Sequence, residues 1–336
     1  MNALKKINRK LLSPLLMNLK VDRIIRSFAS GSILNIMYHG VTSENSNYFS
    51  PRHISSDQFE NHLRYFSKEF DIISITDAFE YVKNNYRPKR KTLTISFDDG
   101  YSNNLHNALP LLEKYNMKAT FFVSGVCTEE MKIRALWTDI ISCLKYFHKD
   151  QIIELGSRRF ENFEDIESRA PLGDFLSLCR VADLNGYLDY LISAYNIEKE
   201  MNSLPGDLWK ILDRDELKEL SASRIAEIGS HCFSHYKLAS IDISDARSEL
   251  QLSKDSLERV TGKKLRSVAY PFGSYTNAIK DEAEKIGYEN QIAVDYIYPE
   301  DVNDLRILNR HGIPSTTTYE ANMLLLNNAF RSKGYN

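Results

Sequence analysis

Residues 91 to 100 read Lys91-Thr-Leu-Thr-Ile-Ser-Phe-Asp-Asp-Gly100. A run of apolar and β-branched residues of this length predicts a strand, yet it ends in two adjacent carboxylates and a glycine. Neighbouring residues on a strand point to opposite faces. Two acids at such an end cost solvation unless water, a cation or a metal meets them. Asp98 and Asp99 therefore either cap the next helix, with Gly100 allowing the turn, or do chemistry.

Outward from this stretch, strands alternate with helices. Ser32 to Gly40 predicts a buried strand stopped by glycine, and Ser56-Asp57 caps a helix carrying Phe59, Leu63 and Phe66 at helical spacing. Further strands are expected at Asp71 to Ile75, Ala119 to Gly125, Ala226 to His231, Ser267 to Pro271 and Gln291 to Val294. Helices are expected at 77–84, 245–260 and 277–286. The rhythm implies a parallel sheet with right-handed crossovers. About seven such units predict an α/β fold, a distorted (β/α) barrel whose site lies at the strand C-terminal ends. Asp98-Asp99, His39 and His231 all fall at such ends. Residues 127–220 break the rhythm, being polar and helical by pattern and holding both tryptophans, Trp137 and Trp209. They read as an insertion in one βα loop, a lid over the site. Residues 1–31 read as a separate basic segment and 32–330 as the barrel.

Composition bounds the function classes. The chain has 336 residues, 43% hydrophobic and 26% charged, with a formal net charge of −2, as in ordinary soluble globular proteins. Its 19 Tyr and 16 Phe serve first as core material. Cys127, Cys143, Cys179 and Cys232 form neither a CxxC pair nor a disulfide framework, which favours a reduced, cytoplasmic setting. Between Lys5 and Arg26 stand seven Lys or Arg and one Asp, interleaved with Leu, Ile and Val. That pattern suits either an amphipathic helix at the inner face of an anionic membrane or a helix packed on the barrel with its basic face in water. Basic residues cluster nowhere else, and no aromatic module accompanies them, so a nucleic-acid role is not expected.

His231-Cys-Phe-Ser-His235 follows a predicted strand and sets two imidazoles four residues apart. On a helical turn, residues i and i+4 share a face, so both nitrogens reach one cation. With a strand-end Asp, they predict a two-His, one-carboxylate site with positions left for water and substrate. One Asp binds the metal while its neighbour takes a proton from water.

The motifs Phe97-Asp-Asp-Gly100, His231-x-x-x-His235 and Ala269-Tyr-Pro-Phe-Gly273 together resemble the polysaccharide deacetylases (the NodB homology domain, carbohydrate esterase family 4). The resemblance covers roughly 33–126 and 220–315. It implies a metal-dependent hydrolase that removes acetyl groups from N-acetylated sugars. It further implies Asp98 as general base, with Asp99, His231 and His235 as metal ligands. The metal would be a divalent ion, zinc first, with Co2+, Ni2+ or Mn2+ as substitutes. Tyr270, Pro271, Phe272 and Gly273 would form the substrate and oxyanion side, the N–H near Phe272 being the donor.

The chain departs from the family where an arginine usually precedes the third motif's proline, since Ala269-Tyr270 stand there. Arg266 or Arg310 is then the candidate to orient Asp98. Met37-Tyr-His-Gly-Val41 resembles the poly-N-acetylglucosamine deacetylase subgroup, whose N-terminal Tyr-His motif supplies the general acid. His39 is thus favoured as acid over the late His311. The substrate implied is a glycan or a lipid-linked glycan intermediate of cell-surface polysaccharide synthesis. The alternatives are the same chemistry on peptidoglycan, chitin oligomers or a small amide, and a carbohydrate-binding barrel without turnover.

Overall fold

The structure is a computed structural model that describes residues 12–44 and 48–335. The first eleven residues of the basic N-terminal segment lie outside this range. A helix α1, described over 12–18, is followed by α2 (Val21–Ser27). No described helix is long and apolar enough to cross a membrane.

The barrel begins with β1 (Ile33–Tyr38), all six residues buried. The short β2 (Gly40–Thr42) and β3 (His53–Ser55) pair with each other outside the main sheet. Then come α3 (Ser56–Glu69), β4 (Asp71–Ile73), α4 (Ile75–Lys83), β5 (Thr92–Phe97), α5 (Leu109–Lys114) and β6 (Ala119–Val123). Helix α3 is capped by Ser55, one residue before the expected Ser56, its hydroxyl accepting from the Gln58 N–H at 3.4 Å. A reciprocal Ser74–Asp77 box starts α4, satisfying two amides that the first turn leaves free.

The 127–220 stretch is not wholly helical. It holds α6 (Trp137–Phe147), then β7 (Ile153–Leu155), β8 (Arg158–Glu161) and β9 (Glu164–Asp165) as a small antiparallel sheet. Helices α7 (Leu172–Ser177), α8 (Val181–Ala194), α9 (Ile197–Asn202) and α10 (Arg214–Ala222) complete it. The strands number two to four residues, too short for alternation to show in a polar sequence.

The barrel resumes with β10 (Ala226–Ser230), α11 (Ile243–Thr261), β11 (Ser267–Ala269), α12 (Asn277–Ile286), β12 (Asn290–Ile292), β13 (Ile307–Leu308), β14 (His311–Gly312) and α13 (Tyr319–Ser332). The main sheet is parallel, in the order β13-β12-β11-β10-β6-β5-β1-β14, with β4 beside the first half of β5. This is the distorted (β/α) barrel expected. Its two edge strands are consecutive in the chain, separated only by Asn309 and Arg310. Those two residues therefore occupy the seam.

Register sets the site. β1 and β5 pair in step from Ile33↔Thr92 to Tyr38↔Phe97, so His39 and Asp98 leave the sheet side by side. Ser230 pairs with Val123 on one side and Val268 on the other. His231 thereby emerges at the same end as Asp99 and the turn after β11.

Candidate metal centre and active site

Beyond Phe97 the backbone must turn within two residues. Asp99 takes φ 76° and Gly100 φ 83°, a left-handed pair that costs a non-glycine residue about 1–2 kcal/mol. Alanine at Gly100 would carry its Cβ to 2.7 Å from Val123 Cγ1. The turn sends Asp98 and Asp99 into two different environments.

Asp98 is buried and gripped by Arg310. The guanidinium donates through Nη1 to Oδ1 at 2.6 Å and through Nη2 to Oδ2 at 2.8 Å, and through Nη1 to Ser96 Oγ at 3.1 Å. A two-pronged pair of this kind holds a carboxylate in plane. Burial pushes the Asp98 carboxyl up, but Arg310, then His231 and His39, leave it below its ordinary value. Arg310 comes from the seam, far in sequence from the third motif. Arg266 does not reach Asp98, being an exposed side chain whose Nε lies 3.7 Å from Glu289 Oε1. It precedes β11, and the whole strand separates it from the mouth.

Asp99 faces the two histidines. His231 Nε2 lies 3.5 Å and His235 Nε2 3.1 Å from Asp99 Oδ1, and the three ligand atoms fall within 4.8 Å of one another. Neither oxygen of this buried carboxylate has a hydrogen-bond partner. His231 Nδ1–H donates to the Ala269 carbonyl at 2.7 Å, which leaves the Nε2 lone pair aimed at Asp99. An orphaned carboxylate facing an imidazole lone pair is unfavourable without a cation between them. The residues thus fit a divalent metal bound by two nitrogens and a carboxylate.

The histidine spacing works for a different reason than a helical face. Residues 231–235 are not helical, and Cys232 and His235 take φ 60° and 58°. These two left-handed residues fold the imidazoles to a centroid distance of 5.0 Å. Glu249 of α11 clamps the loop, accepting from the Phe233 N–H at 3.1 Å and the Ser234 N–H at 2.7 Å. Trp137 of the insertion donates its indole N–H to the His235 carbonyl at 3.1 Å. It is a buried anchor rather than an open sugar platform.

After β11 the chain enters a tight turn with Phe272 at φ 57° and Gly273 at φ 65°. Tyr270 N–H donates to the Ile292 carbonyl, Gly273 N–H to that of Tyr270, and Pro271 has none. The Phe272 amide is the one of the four left without an acceptor. Tyr270 itself points away, buried with its hydroxyl on Gln291 Oε1 at 2.8 Å and its ring stacked on Tyr275. The Phe272 side chain is exposed, its ring 4.9 Å from His235 and 6.0 Å from Trp137. It edges a cavity of about 210 Å³ also lined by Thr138, Lys145, Asp174 and Lys237.

Half-buried His39 has Asp99, Asp98, Arg52 and His231 as its charged neighbours. Burial lowers its pKa, and the two aspartates pull the other way without winning. His311 does not join them. It stands next to inward-facing Arg310, so the strand turns it outward, and its charged neighbours are Lys333 and Asp295. Burial brings it down to about 4.

The sequence reading missed a second buried cluster. Arg52 Nη1 lies 3.6 Å from Asp99 Oδ2, on the side away from the histidines. Its guanidinium also binds Asp139 of α6 and, through Nη1, Thr138 Oγ1 at 3.1 Å. Tyr101 donates to Asp139 Oδ2 at 3.0 Å. No spacing announces this cluster, because Arg52, Tyr101 and Asp139 come from three separate loops and helices. His53 is buried on β3 with Nε2 on the Leu208 carbonyl at 2.9 Å.

The sequence model of the family described as polysaccharide deacetylase matches residues 85–159 and 187–291, more than half of the chain. The Bacillus subtilis (strain 168) protein YxkH, provisionally named a polysaccharide deacetylase, is 33% identical over 91 residues. That stretch is 27% of this chain and 31% of YxkH, so the match spans about a third of the relative's length. Among solved structures, IcaB from Ammonifex degensii matches with a TM-score of 0.58 at 14% identity, over 89% of this chain and 98% of that one. The Streptococcus pyogenes deacetylase PplD, in complex with acetate, matches with a TM-score of 0.56 at 19% identity, over 88% and 97%. A de-N-acetylase from Aggregatibacter actinomycetemcomitans gives 0.54 at 16%, over 86% and 97%. At these identities the structures speak for the fold, and the family match speaks for descent. The chain belongs to the polysaccharide deacetylase family.

Proposed function

We propose that this protein is a metal-dependent N-deacetylase acting on an N-acetylated amino sugar of a glycan, nearest in its chemistry to the poly-N-acetylglucosamine deacetylases. The observation that carries the reading is the buried Asp99 carboxylate, which accepts no hydrogen bond and faces His231 and His235, next to an Asp98 held by Arg310. Two imidazoles and one carboxylate suit Zn2+ and leave places for water and the acetyl oxygen. When bound, the metal would supply Lewis acidity and a water of lowered pKa.

The chain's own residues supply the rest. Asp98, ionised at neutral pH, accepts a proton from the attacking water, and Arg310 keeps it aimed. The Phe272 N–H, free of any acceptor in the protein, donates to the oxyanion that forms when water adds to the carbonyl carbon. His39, in its protonated form, gives a proton to the sugar nitrogen as the C–N bond breaks, and the proton that Asp98 took from water makes up the balance. Acetate and a free amine leave. That a de-N-acetylase shares the fold is in keeping with removal of an N-acetyl group.

The test is acetate release from β-1,6- and β-1,4-linked N-acetylglucosamine oligomers and a panel of small amides, with and without a chelator. Asp98→Asn and His39→Ala should each lose about 10²–10⁴-fold in kcat. Full activity in Asp98→Asn, or turnover indifferent to chelation, would overturn the mechanism. Sugar binding with no turnover by the metal-loaded wild type would instead mark a binding barrel.

A further inference from the structure

We infer that the N-terminal segment docks this protein on an anionic lipid bilayer, with the mouth of the barrel turned away from the membrane. Helices α1 and α2 are amphipathic in the reverse sense of an ordinary surface helix. Ser13, Asp22 and Arg26 face the protein. Asp22 is buried and accepts from the Tyr65 hydroxyl, and Arg26 binds Glu69 and donates to Asn327 Oδ1 at 2.8 Å. While Met17 packs against the core, most of the other large apolar side chains are turned toward solvent. Leu12, Leu15, Leu19, Ile24 and Phe28 are all exposed, and Phe28 at 79% is the most exposed large apolar side chain described.

Five such side chains within seventeen residues exceed the scattered exposure usual on a soluble surface. The charge around them selects the occupant. Lys20 and Arg23 are exposed at the patch, and Lys5, Lys6, Arg9 and Lys10 precede it in the sequence. The first 31 residues hold seven basic side chains against Asp22 alone, in a chain of net charge −2. A second copy of the same basic surface would be repelled. An anionic bilayer accepts both the leucines and the cations.

The fold then sets the orientation. Helix α3 is capped by Ser55, on the mouth side, and ends at Glu69, which Arg23 and Arg26 hold. Lys91, at the entry to β5, donates to the Ala29 carbonyl at 2.8 Å. The patch therefore lies at the N-terminal ends of the strands. Fourteen residues of α3 separate it from the mouth, roughly 20 Å at 1.5 Å per residue. Resting on the proposed deacetylation, this places the site out of reach of a sugar at the surface of the same bilayer. It addresses a glycan chain extending into water.

Vesicle co-sedimentation of the full chain tests the docking without recourse to activity. Vesicles of phosphatidylcholine with 30% phosphatidylglycerol should capture the protein, and pure phosphatidylcholine should not. Leu15→Ser with Leu19→Ser and Phe28→Ser should weaken capture at least ~10-fold, and Lys20→Glu should weaken it less. None of these changes touches the site, so acetate release from a soluble oligomer reports that the variants fold. Equal capture by both vesicle types, or capture unmoved by the triple change, would overturn the docking. So would a dimer without lipid that the triple change abolishes. Vesicle-bound protein should deacetylate a soluble oligomer as fast as free protein; a collapse of that rate on binding would overturn the orientation alone.

Discussion

At single residues, burial decides what each charged group can do. Asp98 and Asp99 are adjacent and equally hidden, yet one is fully hydrogen-bonded by Arg310 and the other has no hydrogen-bond partner at all. Removing Arg310 would strand Asp98 as a lone buried charge, at a cost of about 3–5 kcal/mol. It would also remove the main influence that holds the Asp98 pKa down. Arg310→Lys should therefore retain part of the activity while the acidic limb of kcat/KM moves to higher pH, as a pH–rate profile will show. Unchanged pH dependence in that variant would deny Arg310 its positioning role. His62 makes a stability prediction of opposite origin. It is buried in the core with Nδ1 on the Tyr38 hydroxyl at 2.9 Å, and burial pushes its pKa to about 3. The unfolded chain takes up a proton near pH 6.5 that the folded protein refuses until about 3, so stability falls as pH drops through this window. At pH 4.5 this one group should cost about 2–3 kcal/mol. Urea unfolding at pH 7 and 4.5 should show that loss, reduced in His62→Gln. These two groups also mark what residue patterns conceal. The pair of aspartates was legible because a strand rarely ends so, whereas Arg310 was legible only as one of two candidates beside Arg266, and nothing in the sequence around His62 marks it as a core residue.

At the level of elements, the site is made where loops are pinned by neighbours. The 231–235 loop carries two left-handed residues and stays in place because Glu249 takes two of its amides and Trp137 takes its last carbonyl. Glu249→Ala should weaken zinc binding by about 10–100-fold, the usual effect of losing a support behind the ligands. Competition with a chromophoric chelator reads this directly. The same variant should lose about 1–3 kcal/mol of stability, since two amides are left unpaired. An unaltered zinc affinity would show that the loop holds itself. Strand and helix positions were legible where β1, β5 and β6 run as buried, mostly apolar residues and where α3, α4 and α12 carry side-chain caps. The histidine pair was legible as a motif but not as geometry, since helical spacing and a left-handed loop both bring residues i and i+4 together. The three short strands of the insertion had no pattern long enough to read.

For the whole molecule, a metal at this site would tie β5 to the loop after β10, two parts of the sheet separated by β6. Any ion that binds only the folded form stabilises it by mass action, about 2.7 kcal/mol at a hundredfold excess over Kd. Zinc should accordingly raise Tm by several degrees and a chelator reverse it, with His231→Ala abolishing the difference; a Tm blind to zinc would argue against the site. The insertion is coupled to the same centre, since Asp139 of α6 binds the Arg52 that borders Asp99. Local order in the chain was enough to dictate the alternation of strands and helices, the parallel sheet, and the strand ends carrying Asp98, Asp99, His39 and His231, because burial and capping leave periodic marks on neighbouring residues. Which arginine meets Asp98, which histidine faces the pocket, and where the insertion touches the centre depended on sheet register and on the seam between β13 and β14. Those contacts join residues up to 212 positions apart, and a pairing across such a distance leaves no mark on the residues beside either partner.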